Sequence, residues 1–427
     1  MGARASIAAL LFAAPALGQE PPPPPAVPEP AAPSEPPPEA PAPAEPAPAS
    51  VEGASDFDQL EAAVQDSPRA APAAPAAQAS PIIQPEMALI LDVAAAYFSD
   101  QPLPGGAHDP DHTGFNFQQL ELAAGAAVDP YFRLDTNLVF SPFGVEVEEA
   151  YATTLALPVG LQLRLGQFLT RFGRINATHP HSWAFADQPF ELTRVFGGEG
   201  FRGLGGEISW LLPLDWHVEL STSVMEAAGE GTVRSFYGAR DLGVDSLRDL
   251  LYTTALKQFF PLTDAWSLLA GLSGAFGPNS SGRDNRTDVY GADLYLKYRP
   301  IDEPEPTVVS LQAEWLLRRR QVPDDLLTDH GGFVQGSWRF ARRWAASLRY
   351  EYGSPAYGED GAVAFDPLDP EWTEARHRAS AALSFYPTEF SRLRLQGDHD
   401  LPEWRDSVSA VFLTAEVLIG AHGAHAF

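Results

Sequence analysis

Histidine and aspartate residues lie close together in two segments of the sequence, one near residue 110 and one near residue 180. Imidazole nitrogens and carboxylate oxygens are ligands that zinc binds in proteins. Two loops that meet over a pore could together supply four such ligands, and on this reading the sequence predicts a zinc site. The alternative is that they are polar residues of surface loops that bind no metal. The candidate metal ligands are His108, Asp109, Asp111, His112, His179 and His181.

Arginine residues are concentrated in the segment 171–201 and just outside it. If this segment folds into the lumen of a barrel, its arginines would line a constriction and favour anions. If it covers the barrel from outside, the arginines would pair with local acids such as Asp187 and Glu199. The sequence alone leaves both readings open. With charged residues of neighbouring strands included, the candidate pore residues are Arg133, Glu146, Glu148, Arg164, Arg171, Arg174, Arg194 and Arg202.

Covalent catalysis has little support in the sequence. There is no cysteine, which excludes disulfides, thiolate metal sites and thiol nucleophiles. Serine, histidine and aspartate are present, but no nucleophile elbow with a placed base accompanies them. The glycine-rich segment 200–207 begins a strand and does not join a strand to a helix, so it is not a phosphate-binding loop. We therefore expect a protein that is not an enzyme and, apart from the zinc considered above, has no cofactor.

The first 85 residues differ in composition from the rest of the chain. Residues 1–18 combine Arg4, an apolar run and a small-residue cleavage site ending at Gly18, the pattern of a secretory signal peptide. Residues 19–85 are rich in proline, alanine and glutamate, so we expect a disordered periplasmic linker. Either this linker is a simple spacer, or it extends into periplasmic cell-wall material. The net charge of −28 argues against nucleic acid as a partner, because phosphate contacts need clustered lysine and arginine.

The remaining segment, 86–427, consists of stretches of about ten residues with alternating hydrophobicity, separated by turn residues. Because side chains alternate between the two faces of a strand, each stretch would present an apolar face to lipid and a polar face to a lumen. The sixteen predicted strands are 86–98, 114–127, 131–140, 144–156, 160–170, 202–212, 216–227, 249–260, 265–277, 287–299, 306–318, 332–341, 344–353, 377–386, 390–399 and 407–420.

The connections between these strands alternate between short turns and longer loops, which is typical of outer-membrane barrels. Aromatic residues, including Phe259, gather at the short-turn ends and suggest a girdle at the membrane interface. The sequence therefore predicts an all-β fold, a transmembrane antiparallel β-barrel of about 16 strands that follows a disordered N-terminal segment. The predicted longer loops are 99–113, 171–201, 228–248, 278–286, 319–331 and 354–376.

Two neighbouring stretches, 129–154 and 166–187, resemble the phosphate-selective porin O and P family. Members of that family typically carry a Gly-Lys/Gln-Phe pattern followed by Phe-Gly in a corresponding strand. The similarity extends over about residues 108–220 and is closer still to proteobacterial proteins labelled zinc-regulated TonB-dependent outer-membrane receptors. The resemblance implies a porin-like barrel in the outer membrane. The residues that match the pattern are Gly166, Gln167, Phe168, Phe172 and Gly173.

We interpret the chain as a Gram-negative outer-membrane protein and expect a porin-like channel for passive diffusion of small hydrophilic or ionic solutes. One alternative is a zinc-linked outer-membrane uptake receptor that uses the loop histidines. Another is a structural tether between the outer membrane and the cell wall. The expected partners are outer-membrane lipid, small solutes or ions, the cell wall through the linker, and further copies of the chain in a homotrimer.

Overall fold

The computed structural model describes residues 85–420, with the exception of residues 143, 241, 283 and 301–306. The predicted signal peptide (1–18) and nearly all of the predicted linker (19–85) lie outside the described residues. Within the described part of the chain, no helix is both long enough and apolar enough to cross a bilayer.

Sixteen strands of the described chain form one closed antiparallel barrel. Each strand pairs with its neighbours in sequence, and the first strand closes the barrel against the last, with Leu91 opposite Val417. Closure removes the free edges, so that backbone polar groups along the strands pair with one another. The predicted fold class is thereby confirmed. The strands are β1 (Glu86–Phe98), β2 (Gly114–Ala127), β3 (Phe132–Ser141), β4 (Gly144–Thr154), β5 (Leu161–Leu169), β6 (Arg202–Leu211), β7 (His217–Glu226), β8 (Leu250–Pro261), β9 (Trp266–Pro278), β10 (Arg286–Tyr298), β11 (Val308–Val322), β12 (Asp325–Ala341), β13 (Trp344–Gly353), β14 (Arg376–Thr388), β15 (Ser391–Pro402) and β16 (Val408–Gly420).

The two faces of the barrel wall have the polarity of a membrane barrel. Along β15, Arg392 and Arg394 are buried on the inner face, whereas Leu393 and Leu395 are exposed on the outer face. This arrangement inverts that of a water-soluble protein, in which apolar side chains are the buried ones. The outer face therefore suits lipid, and the inner face carries the charge that a polar lumen requires.

One predicted long loop, 319–331, is wrong. The structure extends β11 and β12 through this region and joins them by a tight turn at Pro323 and Asp324, where Asp324 has a φ of 69°. The charged residues suggested a loop, but Arg318 and Arg320 point inward and pair with acids of the lumen. Arg318 pairs with Asp329 on the facing strand, whereas the partner of Arg320, Asp366, is remote in sequence and could not be inferred from the alternation of residues.

The predicted interfacial girdle is also wrong at Phe259 and at Tyr386, whose ring faces the lumen beside Arg339. Phe259 is buried on the inner face, where it packs against Leu269 and Tyr295. Trp216 and Trp266, which belong to the same end of the barrel, are exposed on its outer face as a girdle requires.

The loops differ in length between the two ends of the barrel. One end carries loops L1 (99–113), L3 (170–201), L4 (227–249) and L7 (354–375), and the other end carries shorter connections among the described residues. Loop L3 contains a short helix, α1 (Phe190–Phe196), all of whose residues are buried. A helix buried on every side has no solvent face, so L3 does not lie over the outside of the barrel.

An apolar core lies inside the barrel, between loop L3 and the inner wall. The rings of Phe196 and Phe201 stack with centroids 4.3 Å apart, and Phe172 packs edge-on against both. Wall residues from β5 to β12, such as Leu251 and Leu316, complete the core. Burying these side chains away from water is the main force that holds L3 in the lumen.

Candidate functional site

Gly166 and Gln167 determine the strand junction from which loop L3 departs. A Cβ atom on Gly166 would lie 2.7 Å from the Cα atom of Tyr151, so glycine alone fits between the two strands. The side-chain amide of Gln167 donates to the carbonyl oxygen of Glu148 at 3.3 Å and also to that of Val147. These contacts fix β4 and β5 at the point where their backbone pairing ends.

Loop L3 turns into the lumen at Gly173, which has a φ of 61°. The backbone N–H of Gly173 donates to Ser273 Oγ at 3.0 Å. The next two N–H groups, of Arg174 and Ile175, donate to Glu314 Oε1 at 3.1 and 2.8 Å. A carboxylate that accepts several backbone N–H groups is a strong anchor, so the inner wall captures the loop as soon as it turns inward.

Strand β15 holds the middle of loop L3 through three polar side chains. Arg392 and Arg394 both donate to the carbonyl oxygen of Trp183, at 2.8 and 2.9 Å. Gln396 accepts a hydrogen bond from the backbone N–H of Ala186 at 2.7 Å. These residues alternate along the strand, so their side chains form one inward-facing row along which the loop lies.

Asp187 is the carboxylate on which the loop and the opposite wall converge. Arg349 Nη2 lies 2.7 Å and Arg378 Nη2 lies 2.9 Å from Asp187 Oδ2. Burial alone would raise the pKa of Asp187, but the charges of Arg349 and Arg378 lower that pKa to about 2. Asp187 is thus ionised at neutral pH. We call Arg349, Arg378, Arg392 and Arg394 the arginine clamp.

Helix α1 is fixed at both ends by charged groups. The N–H of Phe190 donates to Glu351 Oε2 at 2.7 Å. Near the other end, Arg194 pairs with Asp369 of loop L7 at 3.2 Å, and its guanidinium lies 3.8 Å from the centroid of the Trp372 ring. Loops L3 and L7 are therefore joined inside the barrel by an ion pair and a cation–π contact.

The segment 181–187 of loop L3 lies between two cavities of the lumen. The cavity on the side of the long loops, which we call the upper cavity, has a volume of about 650 Å³. It is lined by Asp187, Arg376 and residues of L1 and L7. The lower cavity, about 250 Å³, is lined by the segment's first residues and by Arg174 and Arg339. A solute that moves from one cavity to the other would have to pass this segment.

Ion pairs engage most of the predicted pore residues. Arg174 differs, because its guanidinium lies 3.9 Å from the centroid of the Tyr295 ring and borders the lower cavity. Inward folding and pairing with acids, which the sequence presented as alternatives, therefore occur together. The paired residues, with their partners, are Arg133 (Glu86, Asp135), Arg164 (Glu207), Arg171 (Glu207, Glu219), Arg194 (Asp369) and Arg202 (Glu146, Glu199).

The two histidines of loop L1 have different surroundings. His108 Nε2 lies 3.6 Å from Glu199 Oε2 of loop L3. Burial alone would lower the pKa of His108, but the negative charge of Glu199 raises that pKa to about 9. His112 is exposed, with its Nδ1 2.5 Å from Asp111 Oδ1. Loop L1 is therefore tied to L3 through His108 and not through His112.

Asp109 also links loops L1 and L3. Its carboxylate accepts from the N–H of Gly106 at 2.6 Å and from the N–H of Gln188 at 2.9 Å. Burial and the charge of Asp187 raise the pKa of Asp109 to about 7. The carboxylate of Asp109 thus accepts hydrogen bonds from both loops and joins them.

His179 and His181 lie inside the barrel, on the side of β2 and β4. Among the described residues, one group of histidine and acidic side chains has ligand atoms within 4.8 Å of one another, and it consists of Glu121, Glu148 and His179. His181 adjoins this group, with its Nδ1 3.4 Å from Glu121 Oε2. The structure therefore brings His179 and His181 together with acids of the wall, and it does not converge them with His108 or His112.

Sequence reasoning missed Glu121 and Arg378 as site residues. Glu121 lies between Leu120 and Leu122, so strand alternation already assigns it to the inner face. Its neighbours in the lumen could not be read from the sequence, because they lie on a loop whose path depends on the folded wall. The same is true of Arg378, whose partner Asp187 is remote in sequence.

Solved structures with a similar fold are outer-membrane porins and channels. The barrel is similar to the anion-selective porin from Comamonas acidovorans, with a TM-score of 0.51 and 11% identity over 79% of this chain and 100% of that one. It is similar to the outer membrane channel DcaP of Acinetobacter baumannii, with a TM-score of 0.51 and 13% identity over 79% and 97% of the two chains. OmpT of Vibrio cholerae matches with a TM-score of 0.51 and 10% identity over 80% and 99%. The chain is thus a porin-like barrel.

The sequence itself identifies a family. It is 34% identical over 340 residues to an uncharacterised protein of Aquifex aeolicus (strain VF5), across 74% of this chain and 70% of that protein. The chain belongs to the same family as that protein. No protein-family model matches the sequence, so membership of the phosphate-selective porin O and P family stays a prediction.

Proposed function

We propose that the chain is an outer-membrane channel for passive diffusion of small hydrophilic or ionic solutes. The observation that carries the proposal is the pair of lumen cavities, both lined by charged side chains, on either side of the segment 181–187. Water and polar solutes are stable in such cavities, whereas an apolar lumen would exclude them. The resemblance in fold to an anion-selective porin and to an outer membrane channel supports the same class of function.

The charge along the lumen changes between the two cavities. The lower cavity has Arg174, Arg339 and Arg392 among its described lining residues and no acidic side chain among them. The upper cavity combines arginines with several aspartates. A ring of one sign in a narrow passage concentrates the opposite ion, so we expect the lower cavity to favour anions.

A liposome-swelling assay tests the proposed diffusion directly. Vesicles that contain the refolded barrel should swell in small sugars, amino acids or salts, and the rate should fall steeply as the solute grows. Vesicles that contain the heat-denatured protein are the control. Swelling no faster than in that control, for every solute, would contradict a diffusion channel.

The proposed assembly is a homotrimer in the outer membrane. OmpT of Vibrio cholerae, which has a similar fold, is described in a trimer form. The exposed apolar residues of the outer wall suit lipid and subunit contacts alike. Fractionation of the host membranes and light scattering of the detergent-solubilised protein test location and subunit number; a monomer at all concentrations would contradict the trimer.

A further inference from the structure

Three carboxylates and two imidazoles meet inside the barrel at the β2–β4 wall. Glu121 comes from β2, Glu148 and Glu149 from β4, and His179 and His181 from loop L3. The carboxylates are buried, with at most 6% of each residue exposed. Buried charges are stable only when paired with opposite charge or bound to a metal.

A β-bulge places Glu148 in the cluster. Residues Asn137 and Leu138 of β3 pair with Glu149 and Val147 of β4, which leaves Glu148 as the extra residue between them. In a regular strand Glu148 and Glu149 would point to opposite faces, whereas here both are buried on the inner face. Bulges re-aim side chains in this way and are frequent next to functional sites.

The ring of His179 is oriented by a carboxylate on one side and faces two carboxylates on the other. Its Nε2 lies 3.2 Å from Glu149 Oε2, and Glu149 itself accepts from the N–H of Leu169 at 2.7 Å. Its Nδ1 lies 3.2 Å from Glu148 Oε2 and 3.7 Å from Glu121 Oε1. Metal-binding histidines are commonly held in this manner, with an outer carboxylate on the nitrogen that does not bind the metal.

Asn137 lies on the same side of the His179 ring as Glu149. Its side-chain amide is 2.8 Å from His179 Nε2 and 3.4 Å from Glu149 Oε2. The amide oxygen and nitrogen exchange places by a flip, so Asn137 is compatible with either tautomer of the ring. The alternative to a metal ion at this position is therefore a proton shared between His179 Nδ1 and Glu148.

The distances in the cluster match those around a small tetrahedral ion. Bonds of about 2.0–2.2 Å to nitrogen and oxygen put neighbouring ligand atoms about 3.3–3.5 Å apart. The separations of His179 Nδ1 from the oxygens of Glu148 and Glu121, 3.2 and 3.7 Å, bracket that spacing. The Oε2 atom of Glu148 is buried and has no hydrogen-bond partner, although it lies at ion-pair distance from His179.

We propose that Glu121, Glu148 and His179 bind a divalent transition-metal ion, with zinc as the test ion. Glu149 orients His179, and His181 lies beside Glu121 as a further neighbour. Three protein ligands leave one position of a tetrahedron for water. The ion would join loop L3 to strands β2 and β4.

Metal binding to the detergent-solubilised, EDTA-treated barrel tests the proposal without any need for channel activity. Isothermal titration with zinc should show one site per chain in the wild type. Glu148→Gln and His179→Gln should abolish that site, and Glu149→Gln should weaken it by about 10–100-fold, as loss of an orienting carboxylate does. His112→Gln is the matched control and should bind as the wild type does, because His112 is exposed and outside the cluster.

A spectroscopic measurement covers the case in which a variant fails to fold. Cobalt bound to the wild-type barrel should show the visible absorption of a tetrahedral site with one imidazole and two carboxylate ligands, and zinc should displace it. No binding to the wild type would overturn the proposal and leave a proton in the site. Binding that survives both Glu148→Gln and His179→Gln in folded protein would also overturn it.

Discussion

At the scale of single residues, Asp187 is the group whose charge holds loop L3 in the lumen. It accepts from Arg349 and Arg378, which reach it from β13 and β14. Its main-chain carbonyl accepts a further hydrogen bond, from Arg349 Nη1 at 3.0 Å.

Asp187→Asn should loosen loop L3 at neutral pH. Removing one partner of a buried ion pair leaves the other charge uncompensated and costs about 3–5 kcal/mol. We expect the loop to become cleavable by an added protease while the barrel stays folded. Asp406→Asn, outside the strands and the arginine clamp, is the control. Equal resistance of the wild type and Asp187→Asn would contradict this role.

Acid should have the same effect as the Asp187→Asn substitution. The pKa of Asp187 is lowered from an ordinary 3.8 to about 2 in the folded protein. A lowered carboxyl pKa stabilises the fold above the unfolded-state value, and that stabilisation is lost as the pH falls from about 4 through about 2. Asp109, with a pKa raised to about 7, is protonated in the folded protein throughout this window, so its titration cannot account for a loss of stability there.

The measurement is protease resistance of loop L3 as a function of pH, read with a protease that is active in acid. Resistance should decline between about pH 4 and pH 2 in the wild type. Asp187→Asn should be susceptible throughout. A decline at the same pH in both proteins would show that another group is responsible.

At the scale of elements, helix α1 is positioned by the apolar core inside the barrel. Phe196 is fully buried between Phe172 and Phe201. Truncation of such a ring removes its burial and leaves a cavity, at a cost of about 3–5 kcal/mol. The core should therefore matter to the packing of loop L3 at least as much as a single buried ion pair does.

Phe196→Ala should release loop L3 without unfolding the barrel. The strands pair with one another all round, so their hydrogen bonds do not depend on the helix. Hydrogen exchange should rise in L3 and stay low in the strands. Phe365→Ala is the matched control, since Phe365 is 70% exposed and its loss should change little. Loss of the whole barrel in Phe196→Ala would contradict separate roles for core and wall.

The elements also mark the limit of prediction from sequence. Strand alternation predicted the sixteen strands because each strand needs only its own residues to show which face is polar. The hairpin of β11 and β12 was predicted only in part: the predicted strand ended at Arg318, and the residues that follow, including Arg320, were assigned to a loop because its remote partner Asp366 could not be known from the sequence. The bulge at Glu148 was not predicted either, because a bulge depends on the register with the neighbouring strand, which the sequence does not show.

At the scale of the whole molecule, the barrel is a closed wall whose interior is filled unequally. The apolar core occupies the side of β5 to β12, the upper cavity lies towards β14 to β16, and the lower cavity is lined by residues of β10 to β15. A polar path that joins the two cavities must therefore pass the segment 181–187. The predicted linker and its contact with the cell wall stay predictions.

The arginines of the lower cavity should determine ion preference. Arg174→Gln together with Arg339→Gln should shift the reversal potential in a KCl gradient towards that of an unselective pore. The reason is that the double variant removes two positive charges from the lining of the lower cavity. Arg405→Gln, at the mouth of the upper cavity, is the control and should change it less. An unchanged reversal potential in the double variant would contradict the assignment.

Single-channel current in a planar bilayer tests the central claim most directly, namely that loop L3 controls a polar path through this barrel. The wild type and Asp187→Asn should be compared in the same KCl gradient, with folding of both checked beforehand. We predict small, anion-preferring current steps for the wild type and clearly larger steps for Asp187→Asn. No current from either folded protein, or steps of equal size from both, would contradict the account.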